Sequence, residues 1–421
     1  MSKVNFYLLF ALYLVSCNNE ILDHIDFKNP VINEVLSDWN KYNTQIILTE
    51  ISRNSDGKIS FKDYNLSVDD ELYFYPASTV KLPVALLALQ YITSLNKSEE
   101  IINLDTKFSV FEGDKLIHKE KTLRELIEKI FLISDNEAYN ILFHLLGKKY
   151  INSELQKKGF LNSYIIHDFN YEIEENLNYI FYLDDGNELI IESKNDNYST
   201  KRKKLKNEIV GDGFVKNDSL ISEKFSFRDK NYISLHDLHE ITKRVIFKNK
   251  YDEKEIFFIQ DDYHEFILQA MSLNTLDGLQ YGYTEPKYWD SYVKFFLFGD
   301  SKNKIPENFK IYNKVGLAYG HLTESAYIVD LENNIEFILT CTLRVNENKI
   351  YNDGIYEYDS VGIPFLSNLG KSIYSSLKIK NYLNFHIIII IDKLFKKKET
   401  YIYNPLWKVE KLKKETLVEP L

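Results

Sequence analysis

A chain of 421 residues, 44% hydrophobic and 27% charged, has enough apolar material for one large domain with insertions or for two or three domain-sized units. Its formal charge of −10 argues against a nucleic-acid partner, because phosphate recognition relies on clustered Lys and Arg. Two cysteines, Cys17 and Cys341, argue against a Cys-based metal site.

The chain starts with a short basic segment and an apolar run over residues 6–15, the pattern of a secretory signal. Leu14-Val15-Ser16-Cys17 resembles a bacterial lipobox, which implies cleavage after residue 16 and lipidation of Cys17. The expectation is an exported lipoprotein, held on a membrane and facing the periplasm or the cell surface, with residues 17–40 as tether and first helix. With Cys17 taken by lipid no intrachain disulfide forms, and Cys341, inside the apolar run 336–343, reads as a small core residue.

Ile32, Val35, Leu36 and Trp39 fall at helical spacing. Residues 44–51 read as a strand, 54–57 as a turn and 58–64 as the hairpin partner. Next comes Tyr75-Pro76-Ala77-Ser78-Thr79-Val80-Lys81-Leu82-Pro83, running into the apolar segment 84–89. A helix starting near Ser78 tolerates Pro83 in its first turn, sets the Ser78 hydroxyl at the positive end of the helix dipole and brings Lys81 to the same face. Other Ser-x-x-Lys steps occur, at Ser55, Ser94, Ser291, Ser301 and Ser375, but Ser78 alone precedes a long apolar helix.

Residues 105–148 read as mainly helical, with Ser134 in Ser134-Asp135-Asn136 as a helix cap. Residues 181–232 are polar and poorly periodic and read as an insertion, including the basic run Lys201-Arg202-Lys203-Lys204. A helix capped by Ser234 follows. His236 and His239, three apart on it, lack a third ligand at suitable spacing and read as surface or packing residues. After a helix over 264–272, residues 309–316, 325–331 and 335–345 read as consecutive strands, covered by a helix over 365–377. The tail, residues 379–421, holds the apolar run 387–391, too short to span a bilayer, followed by Lys396-Lys397-Lys398. An edge strand, an interfacial segment and a plain extension are all compatible with it.

Ser78-Thr79-Val80-Lys81, Ser134-Asp135-Asn136 and Lys314-Val315-Gly316 together resemble the S-x-x-K, S-D-N and K-T-G triplet of class A β-lactamases and penicillin-binding proteins. The match around the second motif extends to Ala138, Asn140 and Leu142, and the resemblance spans residues 41–378. It implies an α+β fold of the β-lactamase/transpeptidase type: an antiparallel sheet built from both chain ends, flanked by helices, with an all-helical subdomain inserted. It further implies Ser78 as the acylated nucleophile, Lys81 assisting its deprotonation and Ser134 relaying a proton to the leaving nitrogen. Asn136 would hold a substrate amide, and Lys314 with Gly316 would line the substrate-binding strand. In class A enzymes a Glu in a local E-x-x-L-N pattern activates the deacylating water. Glu174-Glu175-Asn176-Leu177-Asn178 fits that pattern, making Glu174 the candidate base and Asn178 a water-holding residue. Val315 departs from the usual Thr or Ser and removes a hydroxyl that would bind a substrate carboxylate; Arg344 is a candidate replacement.

The activity so implied is opening of a β-lactam or related cyclic amide through a Ser78 acyl-enzyme, by a monomer needing no metal or organic cofactor. Two alternatives stand beside it: a D-alanyl-D-alanine carboxypeptidase or transpeptidase acting on peptidoglycan, and a catalytically silent envelope binding protein.

Overall fold

The computed structural model describes residues 20–54, 56–96, 101–169, 176–193, 198 and 203–395. Cys17 and Glu174 lie outside these residues.

Both chain ends build one sheet. Helix α1 (Pro30–Ser37), capped by Asn29 with Pro30 at its first position, leads into β1 (Gln45–Arg53) and β2 (Ile59–Leu66). The far end of the chain supplies β7 (Phe309–Ala318), β8 (His321–Asp330) and β9 (Ile335–Arg344). The strand order is β7-β8-β9-β1-β2, antiparallel throughout, with Gln45 opposite Thr342 and Lys314 opposite Ser325. The central strands β1, β8 and β9 are buried on both faces because both faces are covered. One face packs on α1 and on α8 (Ile363–Phe395) through Ile32, Val35, Leu36, Phe365, Leu369 and Ile373. The other packs on α6 (Leu235–Ile246), whose buried His239 hydrogen bonds to Thr49 (2.7 Å) and Thr340 (2.9 Å) and is a packing residue. His236 pairs instead with Asp70 at 2.8 Å.

A second unit surrounds α2 (Lys81–Leu95), which is buried from Lys81 to Gln90 without a break. Around it stand α3 (Leu123–Leu132), α4 (Asn136–Leu146), α5 (Lys148–Lys157) and α7 (Asp261–Ser272), sharing one large core. The segment 105–148 is not mainly helical at its start. Residues 108–121 form a hairpin, β3 (Phe108–Glu112) and β4 (Lys115–Lys121), turned at Gly113 with φ +56. Its pattern is period two, Phe108 and Val110 pointing inward, and a left-handed glycine favours the turn. With β5 (Leu177–Tyr182) and β6 (Glu188–Ser193) it makes a sheet of order β4-β3-β5-β6.

The polar stretch 181–232 also contains more order than its composition suggests. Short strands at Ile209–Val210, Gly213–Lys216, Ser219–Ile221 and Phe225–Ser226 accompany an aromatic core of Tyr73, Tyr75, Phe227, Tyr232 and Tyr351. The run 387–391 belongs to no edge strand: it continues α8, which meets neither Pro nor Gly between residues 371 and 395.

Candidate active site

Ser78 sits in a single 3₁₀ turn, Ala77–Val80, that feeds α2. Ala77 carries φ +45, a conformation that costs a residue with Cβ of order 1–3 kcal/mol and is retained where the surroundings fix it. Thr79 does part of that fixing, its hydroxyl donating to the Pro76 carbonyl at 2.7 Å. Gly316 does the rest by allowing strand β7 to approach. A Cβ at 316 would stand 2.3 Å from the Pro76 oxygen and 3.1 Å from the Ser78 nitrogen, so only glycine lets the strand lie this close.

Lys81, 0% exposed, reaches the turn before α4. Its Nζ donates to the Ser134 carbonyl (2.6 Å) and Asn136 Oδ1 (2.6 Å), with Ser134 Oγ at 3.5 Å. Burial drives its pKa from 10.5 down to about 7, against a smaller upward pull from Asp135. Relative to water that is about 5 kcal/mol of preference for the neutral amine. A neutral amine has two N–H groups, matched by those two oxygens, and keeps a lone pair for a hydroxyl proton.

Ser134 is not the helix cap. Asp135 takes that place, its carboxylate accepting from the Ala138 amide at 2.8 Å, a contact worth about 1 kcal/mol. Ser134, at φ +59, is thereby left to turn its hydroxyl toward the strand. Lys314 Nζ donates to Ser134 Oγ at 2.8 Å and to the Val315 carbonyl at 3.0 Å. Lys314 is 2% exposed, and burial, with Lys81 nearby, holds its pKa well below the usual lysine range. The three motifs therefore meet: Lys81, Ser134, Asn136 and Lys314 form one hydrogen-bonded group beside the Ser78 turn.

The strand register explains Val315. Lys314 and Gly316 face the Ser78 side, whereas Val315 alternates to the opposite face and is buried in the core with Phe365 and Leu369. Arg344 lies at the end of β9, opposite His321, two strands in from β7.

The Asn178 part of the E-x-x-L-N expectation is arranged differently. Glu174 lies outside the described residues. Asn178 is not in a loop but inside β5, paired with Phe111 and Glu192, because the hydrophobic alternation of Leu177, Tyr179 and Phe181 draws it into the sheet. What stands over Lys81 is Phe169, its ring centroid 4.9 Å from Nζ. Asn140 holds Phe169 by both backbone groups, accepting from its N–H (2.9 Å) and donating to its carbonyl (3.0 Å). Asn231 brackets His167 in the same way, and His144 pairs with Asp168 at 2.7 Å. Asn140 was legible as a motif position; its grip on Phe169 was not, since the partners are 29 residues apart.

The profile described as "Beta-lactamase enzyme family" matches residues 31–375. No curated protein sequence matches the chain. Among solved structures, the chain is similar to the TLA-3 extended-spectrum beta-lactamase (15% identity, 83% of this chain and 99% of that chain, TM-score 0.48). It is also similar to PBP-A (13% identity, 83% and 96%, TM-score 0.47) and to a beta-lactamase from Sphaerobacter thermophilus (12% identity, 84% and 97%, TM-score 0.43).

Proposed function

We propose, because this chain belongs to the beta-lactamase enzyme family, that it opens a β-lactam or related cyclic amide through a covalent acyl-enzyme on Ser78. The observation that carries this reading is the double use of Ser134, whose carbonyl holds the Lys81 amine while its hydroxyl accepts from Lys314.

The chemistry follows from the donors and acceptors. Lys81, near-neutral at physiological pH, accepts the Ser78 proton as Oγ bonds to the substrate carbonyl carbon. Backbone N–H groups, that of Ser78 among them, stabilise the oxyanion. Ser134 Oγ already accepts from Lys314, so its own proton is free for the departing nitrogen as the carbon–nitrogen bond breaks. Lys81 then reprotonates Ser134 across the 3.5 Å gap. Asn136 alternates between Lys81 and a substrate amide, and Lys314 adds positive charge.

Release of the acyl group needs an activated water. Glu174 is the candidate base for that step, and its contribution is part of this proposal. A second reading, favoured by Phe169, is a cell-wall D-alanyl peptide processing enzyme on which penicillin stays attached. A phenyl ring offers no acceptor for a water proton, and it covers one side of the Lys81 amine.

One experiment separates the readings. The signal-free protein is mixed with a chromogenic cephalosporin and, separately, with a fluorescent penicillin. Sustained turnover supports hydrolysis; one equivalent of stable label without turnover supports the second reading; neither label nor turnover refutes both. The lipid anchor at Cys17 is a proposal resting on the lipobox-like sequence alone, and metabolic incorporation of radiolabelled palmitate, lost in Cys17→Ala, tests it.

A further inference from the structure

Behind strand β7, on the face opposite Lys314, lies a buried charged cluster that the mechanism does not use. Lys294 is 1% exposed and Glu324 is 0% exposed. Lys294 Nζ donates to the Ile311 carbonyl (2.7 Å), to Asn313 Oδ1 (2.9 Å) and, more weakly, to the Met271 carbonyl (3.4 Å). Glu324 accepts from the backbone N–H groups of Phe295 (3.1 Å) and Phe296 (2.7 Å) and from Asn313 Nδ2 (2.5 Å). Asn313 links the two, its oxygen on the ammonium and its nitrogen on the carboxylate.

This pattern specifies charge. Lys294 meets three acceptors and no donor, which suits an ammonium; Glu324 meets three donors and no acceptor, which suits a carboxylate. Burial pulls Glu324 up to about 7, against its hydrogen bonds from Phe296 and Asn313, and pulls Lys294 down to about 7, against the charge of Glu324. Replacing such a pair by apolar groups is often neutral for stability, so stability alone gives no reason for it. Its position does. Asn313 immediately precedes Lys314, and Ile311 lies two residues before Asn313, on β7, an edge strand of its sheet. The charged groups acting on Lys314 are Lys81 from α2, Lys294 from the 293–296 segment and Glu324 from β8, with Asp135 acting on Lys81 in turn. Glu324 is thus the buried anion serving two buried amines, Lys294 and Lys314.

We infer that Glu324, with Lys294 and Asn313, is a positioning device for acylation: it clamps the edge strand from behind and supplies negative charge that favours the protonated form of Lys314 against Ser134. The inference rests on the Ser78 acylation reading and adds residues on the far face of the sheet to it. Glu324 touches neither substrate nor Ser78; it acts through Lys314.

The test is the pH profile of Ser78 acylation by a fluorescent penicillin, with thermal melting as a fold control. Glu324→Gln removes the anion and leaves Lys294 charged, so the alkaline limb, where Lys314 loses its proton, moves to lower pH by one unit or more and the rate at pH 8 falls at least tenfold. Glu324→Gln combined with Lys294→Met removes both charges and returns the limb toward its original position. A profile of unchanged shape in Glu324→Gln, whether or not its amplitude falls, overturns the inference, as does a double variant with the limb displaced as far as in the single one. If Glu324→Gln does not fold, Lys294→Met alone takes its place: it removes a positive charge acting on Lys314 and leaves the anion, so the alkaline limb moves to higher pH, and an unmoved limb overturns the inference equally. A wild-type protein that takes no label refutes the acylation reading itself, and only a labelled wild type brings these variants to bear.

Discussion

On one side of the Lys81 amine stand Ser134 and Asn136 at 2.6 Å, with Lys314 one hydrogen bond further; on the other stands the ring of Phe169. The first side is polar, buried and saturated with partners chosen to move a proton. The second is apolar and equally well held, since Asn140 fixes the Phe169 backbone at both ends. The contrast teaches that forming an acyl-enzyme and releasing it are separately constructed here, and that the residues supporting the first step say nothing about the speed of the second.

The strongest way to break the polar side is to remove the nucleophile. Ser78→Ala is expected to abolish penicillin labelling, a loss on the order of 10⁶-fold by analogy with nucleophile deletions in other serine hydrolases, while circular dichroism stays unchanged; residual labelling at wild-type rate would move the reaction to another residue. Next in size is Gly316→Ala. A methyl group placed 2.3 Å from the Pro76 oxygen must push β7 away from the Ser78 turn. A displacement near 1 Å costs about 10²-fold in acylation rate, measured by stopped-flow labelling, and an unimpaired rate would show that the close approach is not needed.

The apolar side is sharpened by Phe169→Glu. Held by the same Asn140 clamp, a carboxylate there would stand where it can accept a proton from water, and the lifetime of the acyl-enzyme should shorten by about 10²-fold. An unchanged lifetime would show that Phe169 does not control release. The smallest expected effect is in pH. Because Lys81 must be neutral to accept the Ser78 proton and burial pushes its pKa down to about 7, acylation should rise roughly tenfold per pH unit below that value and flatten above it, up to the alkaline limb set by Lys314. A rate flat between pH 5 and pH 8 would take Lys81 out of the role of base.

Much of the polar side was legible in the chain. Ser-x-x-Lys before a buried helix, Ser-Asp-Asn before another and Lys-x-Gly within a strand are local signals, each fixed by a cap, a turn or a period of two, and all three fell on the predicted elements. Two readings failed for identifiable reasons. Ser134 looked like a cap because any Ser before a helix does, and Asp135 won the position by reaching the Ala138 amide. Asn178 was picked as a water-holding residue by a five-letter pattern, whereas the strand periodicity of Leu177, Tyr179 and Phe181 was the stronger signal and carried Asn178 into a sheet. Phe169 and the cluster of Lys294, Asn313 and Glu324 were invisible in the sequence, because an isolated Phe or Glu shows its surroundings only when distant segments are brought together.

The measurement closest to the central claim is the intact mass of the protein after exposure to penicillin, followed by mapping of the modified peptide. An added mass equal to one penicillin, carried by the peptide containing Ser78 and absent from Ser78→Ala, is the expected result. A protein of unaltered mass that also turns over no cephalosporin, or an adduct mapped to any other residue, would contradict it.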